Sequence, residues 1–191
     1  TTEIYTLSLH DALPILRMSW QIDSAHALLE FSVTHMMIAK VRGRFNEFSG
    51  IVELNENDPE KTNVTVEIDV QSVDTRQKQR DDHLRSPDFF NVAEFPKMVF
   101  KSTNVSLIDK TKAILTGDLT IKDITKPVSL TVEFNGMSKS PWGTTSAGFS
   151  AKGKVNRKDW DLTWNQTLET GGVLVGDEVD INIEIELIKQ E

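Results

Sequence analysis

The sequence predicts an all-β protein whose chain closes into an eight-stranded antiparallel barrel with one short helical insert. Three observations carry that reading. Val, Ile and Thr together outnumber Ala six to one, a balance that favours side chains stiff at χ1 over the best helix former. Apolar residues recur with period two in one segment after another, as in strands with one dry and one wet face. No stretch between those segments offers the roughly 10–15-residue helical pattern that a parallel crossover needs, so neighbouring strands run antiparallel.

The chain of 191 residues suits a single core. Leu, Ile, Val and Phe make up 55 of them, well above the roughly 20% below which highly charged chains stay unfolded. Residues 1–17 are read as lying outside the fold, because residues 1–15 resemble the in-frame translation of a sequencing-adapter oligonucleotide. The apolar run at 7–16 carries His10 and Asp11 and is too short to span a bilayer. The domain is therefore read as residues 18–191. From Met18 the chain shows no basic-then-apolar leader, which places the product in the cytoplasm; a leader lost upstream of Met18 would place it in the periplasm.

The strands follow in order. Weaker alternation marks residues 28–36 and 41–54, and a turn signal covers residues 55–59. Val64, Val66, Ile68 and Val70 then interleave with polar residues in eight of eight positions. Residues 76–92 lose the alternation and read as one or two helical turns broken by Pro87. A strand at 98–108 and a turn at Asp109-Lys110 lead to Leu115, Gly117, Leu119 and Ile121. After a turn at 123–126 come Leu130, Val132 and Phe134, then a turn at 138–143 and Phe149, Ala151, Gly153 and Val155. The last strand alternates Val179, Ile181, Ile183, Ile185 and Leu187 with polar residues. Closure removes the edges of long terminal strands.

Composition narrows the chemistry. A formal charge of −8 repels phosphate backbones and anionic headgroups, so nucleic acid is not an expected partner. The absence of Cys removes disulfides, thiolate metal sites and cysteine nucleophiles. His26, His35 and His83 show no metal-ligand spacing, so a metal site would have to be assembled by the fold, and none is predicted. His83 follows Asp81 and Asp82, a possible acid–base group; adjacency in sequence sends the three in different directions and favours a solvated helix face. No nucleophile elbow, phosphate loop or dinucleotide glycine motif occurs, so neither a catalytic residue nor a cofactor is predicted. Lys40, Arg42 and Arg44 form a basic stripe, read either as a headgroup contact or as a solvated face. Phe89, Phe90, Phe95, Trp142, Trp160 and Trp164 fall near strand ends, where they either cap the core or rim a pocket.

Several stretches in this order and spacing resemble the YceI-like family of bacterial polyisoprenoid-binding proteins across residues 18–191. They are Trp20-Gln-Ile-Asp23 with His26, Phe31-Ser-Val33 with His35, Val41-Arg-Gly-Arg-Phe45, and Arg80-Asp-Asp-His-Leu-Arg-Ser-Pro-Asp-Phe-Phe90. Phe48-Ser-Gly50, Phe95-Pro96 with Phe100-Lys-Ser102, Gly117-Asp-Leu-Thr-Ile-Lys122 with Thr125-Lys-Pro-Val128, Asn156-Arg157 and Val175-Gly-Asp-Glu-Val179 complete the set. Asp161 departs from it, standing where Gly is expected after Trp160. The resemblance implies a lipocalin-like barrel holding a long isoprenoid, such as a quinone tail, and a role in binding, storage or transport. It implies no catalytic motif, and it leaves a homodimer open.

An eight-stranded barrel is either just filled or able to hold one ligand. Inward Gly43, Gly117, Ala151 and Gly153 either leave room or relieve crowding at bends. The expected tunnel is lined by Phe31, Val33, Val66, Ile68, Phe100, Leu119, Leu130, Val132 and Phe149. The 76–92 insert is expected to act as its lid, with Leu84, Phe89 and Phe90 on the bound chain and His83 and Arg85 on a polar headgroup. Two other readings stay open: an enzyme using His83 on a lipid-like substrate at the barrel mouth, and a filled barrel acting as a stress-response interaction module.

Overall fold

A computed structural model describes residues 19–190, so the expectation about residues 1–17 lies outside the described residues. Eleven strand segments and one α-helix follow in chain order: β1 (Ser19–Ile22), β2 (Leu28–His35), β3 (Ala39–Phe45), β4 (Phe48–Glu53), β5 (Asn63–Asp69) and β6 (Val73–Asp74). Then come α1 (Lys78–Arg85), β7 (Lys97–Leu107), β8 (Lys112–Ile121), β9 (Ile124–Lys139), β10 (Thr145–Asn156) and β11 (Val175–Lys189).

These segments build eight walls. β1 and β2 are two halves of one wall: β11 pairs with β2 from Val175 to Glu184 and with β1 from Leu187 to Lys189. β3 and β4 form the next wall, against β2 and β1, and β6 and β5 the third. β7 to β11 follow singly, each antiparallel to its neighbour, and the pairing of β11 with the first wall closes the ring. The predicted eight-stranded antiparallel barrel is what the chain forms.

The departures are local and have causes. β1 went unread because four residues are too few to establish a period, although Trp20 and Ile22 are buried and Gln21 is exposed as alternation requires. The single strand expected over 41–54 breaks at Asn46-Glu47, where Asn46 N–H donates to the Ser72 carbonyl and Glu47 N–H to the Ser72 hydroxyl. The turn expected at 123–126 is tighter: Ile121 pairs with Ile124 across Lys122 and Asp123 alone. β9 runs on to Lys139, into the region read as a turn.

One end of the barrel carries the β2–β3 hairpin, α1, the Lys122-Asp123 turn and the 157–174 connection. The other carries the 54–62 loop, the 108–111 turn and the 140–144 turn. The best-buried apolar side chains form two clusters, one around Trp160, Val70, Val73 and Leu162, the other around Trp20, Val52, Ala147 and Leu187.

α1 has only eight residues, too few to persist alone. Charged side chains clamp it to the third wall. Buried Asp81 accepts from the Thr75 N–H at 2.8 Å and from its hydroxyl at 2.5 Å. Arg80 donates to the Thr75 hydroxyl and carbonyl, and Arg85 to the carbonyls of Gln71 and Val73.

Asp161 adopts φ 55°, ψ 32°, the left-handed conformation that ends the 3-10 turn Arg157–Trp160. Glycine takes this conformation without steric cost, whereas Asp tolerates it better than most residues but still pays for its Cβ. Asp161→Gly is expected to stabilise the protein by about 0.5–1 kcal/mol, raising the thermal midpoint by roughly 1–4 °C. Thermal unfolding checks this.

Candidate ligand tunnel

Strand alternation turns one face of every wall inward, and the inward side chains enclose a cavity of about 1150 Å³. It runs the length of the barrel: residues from both ends line it, from His83 and Trp164 at the helix end to Asn55 and Lys110 at the other. All nine wall residues expected from the alternation line it, together with Leu84, Phe89, Phe90 and His83.

Arg85 does not line it. Expected at the mouth, it instead donates from Nε to the Gln71 carbonyl at 2.9 Å and from Nη2 to the Val73 carbonyl at 2.7 Å, an ordered role in holding the helix. Arg80, on the same helix, lines the cavity instead.

The glycines relieve crowding and do not leave room. A Cβ on Gly43 would stand 2.4 Å from the Phe31 ring, and one on Gly117 2.4 Å from the Phe100 ring. The space beside these glycines is therefore filled. Each lets an aromatic ring lie against the wall instead of standing across the lumen. Of the four small inward residues, Ala151 alone lines the cavity.

At the helix end, the His83 ring meets Trp164 edge-on at 4.6 Å and Phe89 at 5.1 Å, and Phe89 lies 5.5 Å from Trp164. Its Nε2 is 2.9 Å from an Asp88 carboxylate oxygen. His83, its side chain still 36% exposed, thus keeps a solvated side and also joins an aromatic rim. Asp81 and Asp82 point elsewhere as expected, to Thr75 and to Lys78 and Arg85. Thr75, Gln77, Gln79 and Arg80 add polar groups to the same end of the lining. Phe90 packs edge-on against Phe45 at 6.0 Å, tying the insert to the wall.

No local pattern in the sequence assigns Arg157 a task. It is 5% exposed. Nε donates to the Gly176 carbonyl at 2.8 Å, Nη1 to the carbonyls of Leu162 and Trp164, and Nη2 to that of Val175 at 3.3 Å. Burial pushes its pKa down and Asp177 opposes the shift. One guanidinium thus fastens the 157–174 connection and, through it, Trp164 at the rim. Trp160, expected to cap or to rim, does both: it is 1% exposed, donates from Nε1 to the Leu119 carbonyl at 3.0 Å and lines the cavity. Trp142 does neither, being 89% exposed. Ile181 and Ile183 also line the cavity, and the same alternation that revealed the other walls contained that signal.

The fold assembles one group of possible metal ligands among the described residues: Asp23, His26 and Glu186, with ligand atoms within 4.8 Å of one another. None of the three lines the cavity. Asp23 is already engaged, accepting from the Ala25 N–H at 3.0 Å and lying 2.7 Å from His26 Nδ1. The hydrogen bond to His26 lowers the Asp23 pKa, and that same bond raises His26 above its ordinary value near 6.5. The raised His26 contributes stability below its unfolded pKa that is lost as pH rises through its folded pKa. The lowered Asp23 contributes stability above its unfolded pKa that is lost as pH falls through its folded one. The pair is therefore intact in mildly acidic solution. An NMR titration should place the His26 pKa above 6.5 and return it towards that value in Asp23→Asn.

Comparison with known proteins agrees with the barrel. A UPF0312 protein of Staphylococcus aureus strain MSSA476 is 41% identical over 162 residues, covering 84% of this chain and 92% of its own. The crystal structure of a Campylobacter jejuni YCEI protein superposes with a TM-score of 0.70 at 31% identity, over 83% of this chain and 90% of that one. Burkholderia cenocepacia BcnA gives 0.76 at 22% identity, over 86% and 98%. A polyisoprenoid binding domain from Saccharophagus degradans gives 0.67 at 12% identity, over 91% and 99%. The family model described as a YceI-like domain matches residues 20–187, and this chain belongs to that family.

Proposed function

We propose that the chain binds a long apolar amphiphile, a polyisoprenoid or isoprenoid quinone, with its tail along the tunnel and its polar head at the helix end. The observation that carries this reading is the cavity itself. Protein interiors pack as densely as organic crystals, so an apolar lumen of about 1150 Å³ is no packing defect. It exceeds the usual range of small-molecule pockets and spans the barrel lengthwise, which suits a chain better than a compact ligand. Burying several hundred Å² of such a chain at about 25 cal/mol per Å² gives on the order of 10 kcal/mol before the costs of ordering it. Affinity then needs few polar contacts. Thr75, Gln77, Arg80 and His83 are the groups that would meet a headgroup.

Binding in this way asks nothing of His83 as an acid or base. Organic extraction of the purified protein followed by mass spectrometry tests the proposal. A long-chain isoprenoid approaching one per chain is expected; protein without any extractable lipid would overturn it, and turnover of that lipid abolished by His83→Ala would favour an enzyme instead.

A further inference from the structure

The tip of the β2–β3 hairpin is apolar and exposed: Met36 is 44%, Met37 62% and Ile38 85% exposed. Val173 of the 157–174 connection, 38% exposed, extends the patch, with the Met36 N–H donating to the Leu174 carbonyl beside it. The turn is an unfavourable one for these side chains. Ile38 N–H closes it onto the His35 carbonyl, and Met36 and Met37 both have positive φ, 51° and 65°. Such a hairpin turn is best served by Asn-Gly, so two methionines are presented there against backbone preference.

Charge order along the hairpin indicates what the tip meets. From Phe31 to Gly43 there is no acidic residue; the ionisable groups are His35, Lys40 and Arg42. Lys40 lies beside Asp180, while Arg42 is exposed and has no ion pair among the described residues. Apolar groups at the tip with the unpaired Arg42 just behind them match an acyl layer beneath anionic headgroups. The overall charge of −8 repels the other faces from that surface and so favours approach through this one. The patch adjoins the tunnel, whose lining includes His35, Leu174 and Val175.

We propose that Met36, Met37 and Ile38 insert into the surface of an anionic lipid bilayer, setting the helix end of the tunnel against the membrane for loading and release. The inference rests on the lipid-binding reading for its purpose, though not for its geometry.

Flotation with vesicles of phosphatidylcholine and phosphatidylglycerol tests it. The wild type should float with them. Met36→Asn with Met37→Gly should lower vesicle binding at least tenfold while raising the thermal midpoint by about 3 °C or more, since the turn is relieved. Ile38→Asp, which leaves the turn residues in place, should also lower binding. Transfer of isoprenoid between vesicles should slow in both variants, with lipid extracted from the purified proteins unchanged. Unaltered flotation of the folded variants would overturn the proposal, as would a wild type that ignores vesicles or uses the tip to self-associate. Vesicle binding by a protein that never holds lipid would instead overturn the tunnel reading and leave the docking surface standing.

Discussion

Arg157→Leu is expected to destabilise the barrel by about 3–5 kcal/mol, a large share of the stability of an ordinary domain. The guanidinium is buried and donates to the carbonyls of Leu162, Trp164, Val175 and Gly176. An apolar replacement fills much of the volume but strips those acceptors of the guanidinium; the Val175 carbonyl keeps Asn165 Nδ2 as a donor, while each carbonyl left unpaired costs about 1–3 kcal/mol where water does not reach it. The damage should be regional as well as global. Residues 162–175 should lose hydrogen-exchange protection first, and Trp164 should lose its place against His83 and Phe89. Denaturant unfolding supplies the magnitude. A loss below about 1 kcal/mol would show that solvent satisfies the carbonyls and that the arginine is not the fastening described here.

Leu84→Ser combined with Phe90→Ser should lower retention of bound isoprenoid at least tenfold. Both side chains line the helix end of the tunnel and are half-buried, Phe90 against Phe45. The pair carries a folding cost of roughly 1–2 kcal/mol per residue, less than for fully buried side chains. The polar clamp of Arg80, Asp81 and Arg85 on the third wall is untouched, so the helix should stay in place. Retention is read by competition with lipid vesicles, and folding by near-ultraviolet circular dichroism on the same sample. Unchanged retention by a folded double variant would make the insert a connector and not a lid.

The difference between what was legible and what was hidden follows from range. Period two is a local property, and it identified the walls and the inward set from Phe31 to Phe149. It also fixed which face is dry, because a one-residue slip would turn every side chain over. Breaks in the walls were hidden, since Asn46-Glu47 is held by Ser72 from the neighbouring wall. Arg85 was misplaced because spacing on an eight-residue helix leaves its rotation open; contacts with Gln71 and Val73 decide it. Which of the two glycine readings holds was hidden because the crowding partners, Phe31 and Phe100, lie on adjacent strands. Arg157 had no signal at all, as its acceptors are backbone carbonyls that look alike in any sequence.

If the lumen itself holds the lipid, obstructing the lumen should empty the protein of it. Val66 and Ala151 line the cavity from walls four places apart in a ring of eight, hence from opposite sides. Val66→Trp with Ala151→Trp would set two indoles across a space large enough to receive them. The measurement is lipid extracted per folded chain, with Trp142→Ser as a surface control far from the lumen. Near-stoichiometric isoprenoid is expected in the wild type and the control, and less than about a tenth of that in the obstructed protein. Equal lipid in all three, with the barrel intact, would contradict a lipid-holding lumen.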